Sequence, residues 1–230
     1  MSAAPLRVVV IGARGRLGRY ACELLRGTQE FAVCAELGRE HDLVSALIEC
    51  SADLGLDATV AGLGFENGRR LLNAGIRPVI GTSGVTREET MQLDGLARAR
   101  QLGGIVVPNF SLGMVCLQRA AEDLARHFPA VEIVELHHAG KKDAPSGTAR
   151  NTAERLQAVR GAAHGAVPIH SVRLPGLHSH QEVLFGGQGE TLALRHDQWG
   201  PQAFGPGILA ALRFAAEVAG VAYGLEAALE

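Results

Sequence analysis

The chain has 230 residues, 47% of them hydrophobic and 20% charged, with 22 basic side chains against 24 acidic ones and a formal net charge of -2. That balance belongs to a globular protein of one domain or two small ones, and it gives no electrostatic ground for nucleic acid or an anionic membrane as partner. No stretch reaches the roughly 20 uninterrupted apolar residues of a membrane span. Cys22, Cys34, Cys50 and Cys116 are widely spaced, with no CxxC pair and no metal-ligand rhythm, so reduced thiols and no metal are expected. The opening "MSAAPLRVVVIGARG" turns glycine-rich too soon for a signal peptide, and the expected location is the cytoplasm.

In chain order, "LRVVVIG" is a β-branched run ending in Gly12, as in a strand buried on both faces. Leu17, Ala21, Leu24 and Leu25 then recur at helical spacing until Gly27, and "FAVCAEL" reads as a second buried strand. Strand, helix and strand this close together predict a parallel βαβ unit. The alternation continues with a helix near "LVSALIECSA", a strand at "DATVAG" (57–62), a helix through "NGRRLLNAG", a strand at "RPVIGT", a helix at "TREETMQLDGLARARQLG" and a strand at "GIVVPNF". A doubly wound, Rossmann-like α/β domain is the implied fold.

Beyond Phe110 the rhythm changes. After a helix at "GMVCLQRAAEDLARHF", the segments "VEIVELHHAG", "HSVRLPG", "HQEVLFGG" and "ETLALRHD" read as strands separated by too little chain for helical crossovers. A smaller α+β domain with a mixed or antiparallel sheet is expected. The tail "GILAALRFAAEVAGVAYGLEAAL" reads as helical and able to return to the first domain. The expected division is 1–108 with 206–230 for dinucleotide binding and 109–205 for substrate, joined by short hinges near Pro108 and Pro206.

Gly12, Gly15 and Gly18 fall between the first strand and the first helix, where small residues let backbone approach a pyrophosphate and a helix N-terminus presents free N–H groups. The spacing is GxxGxxG rather than GxGxxG. At the end of the second strand, "AELGRE" carries Glu36, Gly38 and Arg39, with Arg14 and Arg16 in the first turn. These arginines favour a 2′-phosphate, hence NADPH, with NADH possible.

The segment "HHAGKKDAPSGTA" (137–149) gathers two histidines, two lysines and a Ser-Gly-Thr helix start. Histidine exchanges protons near neutral pH, and adjacent strand residues face opposite ways, so one histidine of the pair meets the reacting atom and the other orients. Pro145 sets the approach, Ser146 can cap, and Gly147 with Thr148 exposes first-turn N–H groups suited to a carboxylate or phosphate. His127, His164 and His170 lack such company and read as structural.

The run "EIVELHHAGKKDAPSGTA" (132–149) resembles the signature of the 4-hydroxy-tetrahydrodipicolinate reductase (dihydrodipicolinate reductase) family. The resemblance extends to "VIGARGRLG", "VIGTSGV" (79–85), "PNFSLGM" (108–114) and "IHSVRLPGLHSHQEVLFGGQGETLALRHD" (169–197). It implies a Rossmann-like cofactor domain, a substrate domain that builds a homotetramer, and reduction of a small dicarboxylate in diaminopimelate and lysine biosynthesis. It further implies that His137 exchanges a proton, that His138 contacts substrate, that Lys141 donates a proton and holds substrate, and that Gly147 and Thr148, next to Ser146, bind a carboxylate. For the cofactor it carries over Gly12, Ala13, Arg14, Gly15, Arg16, Leu17, Arg39, Gly81, Thr82, Ser83, Val107, Pro108, Asn109 and Phe110. The chain departs from the pattern in three places: it is shorter between Asp42 and Asp57, Gly38 stands where an acidic ribose ligand is common, and "AGLG" at 61–64 stands where an Asp-Phe-Thr segment is expected. Two other readings share some of these features. One is a two-domain oxidoreductase for another amino-acid-derived substrate, and the other is an inactive nucleotide-binding regulator, against which the intact His137, His138 and Lys141 speak.

Overall fold

The computed structural model describes residues 4–229 and divides into two compact units, Met1–Phe110 with Phe204–Glu230, and Ser111–Ala203. In the first unit, β1 (Leu6–Ile11), α1 (Arg16–Arg26), β2 (Phe31–Leu37), α2 (Leu43–Glu49), β3 (Leu54–Asp57), α3 (Gly64–Asn73), β4 (Arg77–Ile80), α4 (Arg87–Ala99) and β5 (Gly103–Val106) alternate along the chain. After the second unit come α7 (Gly205–Glu217) and β10 (Gly220–Tyr223). The sheet is parallel throughout, in the order β10-β5-β4-β3-β1-β2. Its central strands are buried on both faces, with Val8, Val9, Val10, Leu54 and Leu56 fully excluded from solvent, which is why the β-branched runs do not alternate with polar residues. The chain leaves β1 for β2 and then crosses back to β3 on β1's other side, so the carboxyl ends of β1 and β3 flank the point where the winding reverses. Ligands of open α/β sheets sit at such points.

Two expectations need correction. The third strand is Leu54–Asp57, and 58–62 lie outside it. Gly55 lets Leu71 pack directly on this strand, since a Cβ there would run into the leucine's methyl groups. The tail is not helical to its end: α7 stops at Glu217, and β10 adds a sixth strand parallel to β5. Gly220, at φ +90°, makes that reversal, a conformation open to glycine at little cost. On α7, Ile208, Ala211, Leu212 and Ala215 are fully buried.

The second unit comprises α5 (Leu112–Leu124), β6 (Ala130–His137), α6 (Gly147–Arg160), β7 (Ile169–Arg173), β8 (Ser179–Gly187) and β9 (Glu190–Gln198). Its sheet runs β7-β6-β8-β9, with β6 and β7 parallel and the other pairs antiparallel. Contrary to the expectation of no helical crossover in this unit, the parallel pair needs one, and α6 supplies it in the long stretch between β6 and β7. Met114, Leu117, Ala121, Val131, Ile133, Leu156, Val183 and Phe185 form the core. In β6 the buried positions are Val131, Ile133 and Glu135. The two-residue period of a strand therefore carries a carboxylate onto the face that the apolar residues occupy.

Candidate active site

At the carboxyl end of β1, Gly12 adopts φ +80°, and a Cβ there would lie 2.6 Å from the Ala58 carbonyl oxygen. A Cβ on Gly18 would collide with the Gly12 carbonyl. The Gly15 N–H donates to that same carbonyl at 2.9 Å, and Gly15 starts α1 with no side-chain cap and no acidic residue in the first turn. The N–H groups of Arg16, Leu17 and Gly18 thus have no intrahelical acceptor. Uncapped amides after a backbone stripped of side chains suit a dinucleotide's pyrophosphate, in chemistry and in room.

Across the switch point, β3 ends in Asp57, which is fully buried. Asp57 Oδ1 accepts from Asn67 Nδ2 at 3.2 Å and from the Thr59 N–H at 3.3 Å, while Oδ2 is buried with no hydrogen-bond partner among the described residues. Burial raises the acid's pKa, against the opposing pull of its bonds to Thr59, Thr82 and Asn67. Asn67 Nδ2 also donates to Thr59 Oγ1, and Thr59 Oγ1 meets Thr82 Oγ1, both at 3.2 Å. The Gly81 N–H donates to the Asp57 carbonyl at 2.9 Å, and the Val107 N–H to the Ile80 carbonyl at 2.8 Å. Residues 57–59, 81–83 and 107–110 are in this way joined along the strand ends. Thr82, Val107 and Phe110 are buried, whereas Ser83 and Pro108 are exposed.

The loop after β2 differs from expectation. Glu36 pairs with Arg26 at the end of α1. Glu40 turns back so that its carboxylate fills the space a Gly38 side chain would need, and it meets Arg14 at 2.7 Å. Arg39, on the same loop, is exposed. Arg14 is therefore charge-paired and is not a free cation.

In the second unit, His137 closes β6. Its Nδ1 lies 2.5 Å from Glu135 Oε2 and its Nε2 3.1 Å from Ser179 Oγ. Burial holds its pKa below the ordinary histidine value, with Lys141 and Arg173 acting in the same direction and Glu135 opposing them. Lys141 Nζ is 2.8 Å from Asp143 Oδ1, and the Lys141 N–H donates to the His138 carbonyl at 3.1 Å, which folds 138–141 into a turn. His138 is half-buried. Ser146 is buried and caps α6, its hydroxyl accepting from the Ala149 N–H at 3.1 Å. With that hydroxyl committed and no acidic residue in the first turn, the Gly147 and Thr148 amides are the ones left for an anion.

The family model described as the N-terminus of dihydrodipicolinate reductase matches residues 6–110, and the one for its C-terminus matches 113–229. The chain belongs to the dihydrodipicolinate reductase family. It is 40% identical to the 4-hydroxy-tetrahydrodipicolinate reductase of Moorella thermoacetica, over 99% of both chains. With the enzyme of that name from Lactococcus lactis subsp. lactis the identity is 41%, over 96% of both. A solved structure, dipicolinate-bound dihydrodipicolinate reductase from Paenisporosarcina sp. TG-14, is 34% identical with a TM-score of 0.84, over 96% of this chain and 98% of that one.

β3 ends at Asp57 and is followed by Ala58 and Thr59, so that an acid and a hydroxyl stand two positions apart at the strand end, while 61–64 lead into α3. Sequence reasoning also passed over Glu135 and Arg173. Arg173 Nη2 and Nη1 reach Glu135 Oε1 and Oε2 at 2.6 Å and 3.0 Å. Glu135 carried a signal, since residues two apart share a strand face with His137. Arg173 carried none, being brought opposite His137 only by the β6–β7 register. Among the described residues no cluster of three or more His, Cys, Asp or Glu is placed to hold a metal, and no helix is long and apolar enough to cross a membrane.

Proposed function

We propose that the chain reduces dihydrodipicolinate, or its hydroxylated tetrahydro form, to tetrahydrodipicolinate in diaminopimelate and lysine biosynthesis, using a nicotinamide dinucleotide. The observation that carries this reading is the conjunction at the end of β6. A desolvated imidazole with an oriented ring, the Lys141 amine near enough to oppose its protonation, and two uncommitted helix-start amides all belong to one short segment. That set suits a small dicarboxylate with a centre to be protonated. Dipicolinate, the ligand of the Paenisporosarcina relative, is such a molecule.

The Gly147 and Thr148 amides and Lys141 take one carboxylate, and His138 contacts the ring. When bound at the Gly12 turn, the dinucleotide supplies a hydride. Hydride addition to the conjugated imine leaves an enamine anion, Lys141 Nζ gives it one proton, and His137 passes a proton from solvent through Nε2 to restore the Lys141 ammonium, so the ring gains one hydride and one proton; the hydroxylated form first loses its hydroxyl as water. Gly12 to Leu17, Gly81 to Ser83 and Val107 to Phe110 hold the dinucleotide mainly by backbone.

NADPH is the preferred reductant in this reading, since Arg39 stands exposed where a 2′-phosphate would lie. NADH remains usable because the Glu40 carboxylate sits over Gly38, where ribose hydroxyls can donate to it. We also place the chain in a cytoplasmic homotetramer, for which a sedimentation measurement is the check. The functional test is oxidation of NADPH and NADH, side by side, with enzymatically generated dihydrodipicolinate. Turnover with NADPH ahead of NADH is expected, and no oxidation of either would overturn the assignment.

A further inference from the structure

Glu135 touches no substrate in the reading above, yet its one carboxylate takes four hydrogen bonds from three residues. Oε2 takes His137 Nδ1 at 2.5 Å and Arg173 Nη1 at 3.0 Å, while Oε1 takes Arg173 Nη2 at 2.6 Å and the Ser146 N–H at 3.3 Å. The side chain is fully buried. An ionised carboxylate only accepts hydrogen bonds. His137 Nδ1 must therefore carry the hydrogen in this pair, which leaves Nε2 as the lone-pair nitrogen, with the Ser179 hydroxyl donating to it at 3.1 Å.

We propose that Glu135, locked by the Arg173 fork, is the positioning residue of this site: it sets the His137 tautomer with Nε2 as the proton-exchanging nitrogen, and through Ser146 it holds the start of α6, where the carboxylate-binding amides lie. The inference rests on the reading of His137 as the proton-exchanging group. Stability alone does not account for the arrangement, because a buried ion pair rarely outperforms apolar side chains of the same volume. Nor does the core need it, for Val131 and Ile133 already fill the same face of β6. What an apolar pair could not do is fix a ring nitrogen and a helix start together. Arg173 Nη2 also donates to the Asp143 carbonyl at 2.7 Å, which ties the loop carrying Lys141 to the same point. The charged groups around the imidazole are Glu135 on its own strand, Lys141 in the following loop and Arg173 on β7, with neutral Ser179 on β8.

The test begins with the unaltered protein labelled with ¹⁵N-histidine, in which long-range imidazole correlations report the tautomer and the His137 signal is assigned by its loss in His137→Asn. An Nδ1–H tautomer is expected, and an Nε2–H tautomer would overturn the proposal whatever any variant does. In Glu135→Gln the carbonyl oxygen is drawn to the Arg173 fork and the amide nitrogen turns to His137, so the ring should flip to Nε2–H. There kcat should fall about 10- to 100-fold, KM for NADPH should hold, and the acid limb of kcat/KM should move to lower pH as the raising influence of the carboxylate is lost. A folded Glu135→Gln protein with unchanged tautomer, kcat and pH profile would also overturn it. Full turnover in His137→Ala would be a different failure, that of the functional reading itself.

Discussion

In the proposed reaction His137 and Lys141 carry the chemistry, and their replacement tests that assignment apart from folding. Each changed to alanine should lower kcat by about 10²–10⁴-fold, the usual worth of a positioned acid or base, while circular dichroism stays close to the parent's; Lys141 is half-buried, its amine paired with the half-exposed Asp143. Arg39→Ala should raise KM for NADPH about tenfold and leave KM for NADH where it was, since one charge-assisted contact is lost from one cofactor alone. Asp57 makes a pH prediction. Its pKa is raised in the folded state by burial, so whatever it contributes to stability is complete below the unfolded carboxyl value and is lost as pH rises through the folded one. Asp57→Asn has no charge to bury and should melt roughly 2–4 °C above the parent near pH 8, the equivalent of about 1 kcal/mol in a chain of this size, with the gap closing toward about pH 4. A parent that melts as high as the variant at both pH values would refute the account of Asp57.

At the scale of elements, what sequence patterns reveal depends on how far each element controls its own burial. The longer helices and the valine-rich β1 announce themselves because every residue needed for the pattern is local. Strand β3 does not: "LGLD" is four residues with a glycine inside, while the adjacent "ATV" has the composition of a strand and spends it on a loop. Asp57 therefore ends the strand where the composition places its start, and Thr59 falls in the loop. Strand β10 hid in a run as apolar as the helix before it, and only the extended backbone at Val218 with the reversal at Gly220 separates the two. The residues proposed for proton exchange and anion binding could be named from the sequence because one segment, His137 to Thr148, holds them all. Glu135 and Arg173 were not joined, being 38 positions apart. The α6 cap is the prediction at this level: Ser146→Ala should cost about 1 kcal/mol of stability, read by denaturant titration. It should also raise KM for the dicarboxylate more than it changes kcat, because the loosened first turn presents the Gly147 and Thr148 amides less well.

For the molecule as a whole, the doubly wound architecture and the mixed-sheet unit are those implied by the change of rhythm at Phe110. The candidate ligand seats are proposed from glycine spacing and from the histidine-lysine segment, but the charge balance around Arg14 was not legible, because Glu40 reaches it only through the shape of a loop. A saturating nucleotide should protect the first unit. At about 100 times its Kd, NADPH should add about 2.7 kcal/mol, seen as slower amide exchange in β1, β3 and β4, and Lys141→Ala should show the same protection, since its defect lies in the other seat. The order in which the chain is made has a further consequence. The nucleotide-binding sheet lacks its last strand and α7 until Tyr223 has been translated, whereas every residue of the inserted unit is available by Ala203. On the ribosome, where chains emerge at about 5–20 residues per second and domains fold as units, the half begun first is the half completed last. Nascent chains stalled, on a C-terminal extension, once residue 203 has cleared the exit tunnel should already resist protease in the inserted unit, while the stretch before Phe110 stays cleavable until Tyr223 has also emerged.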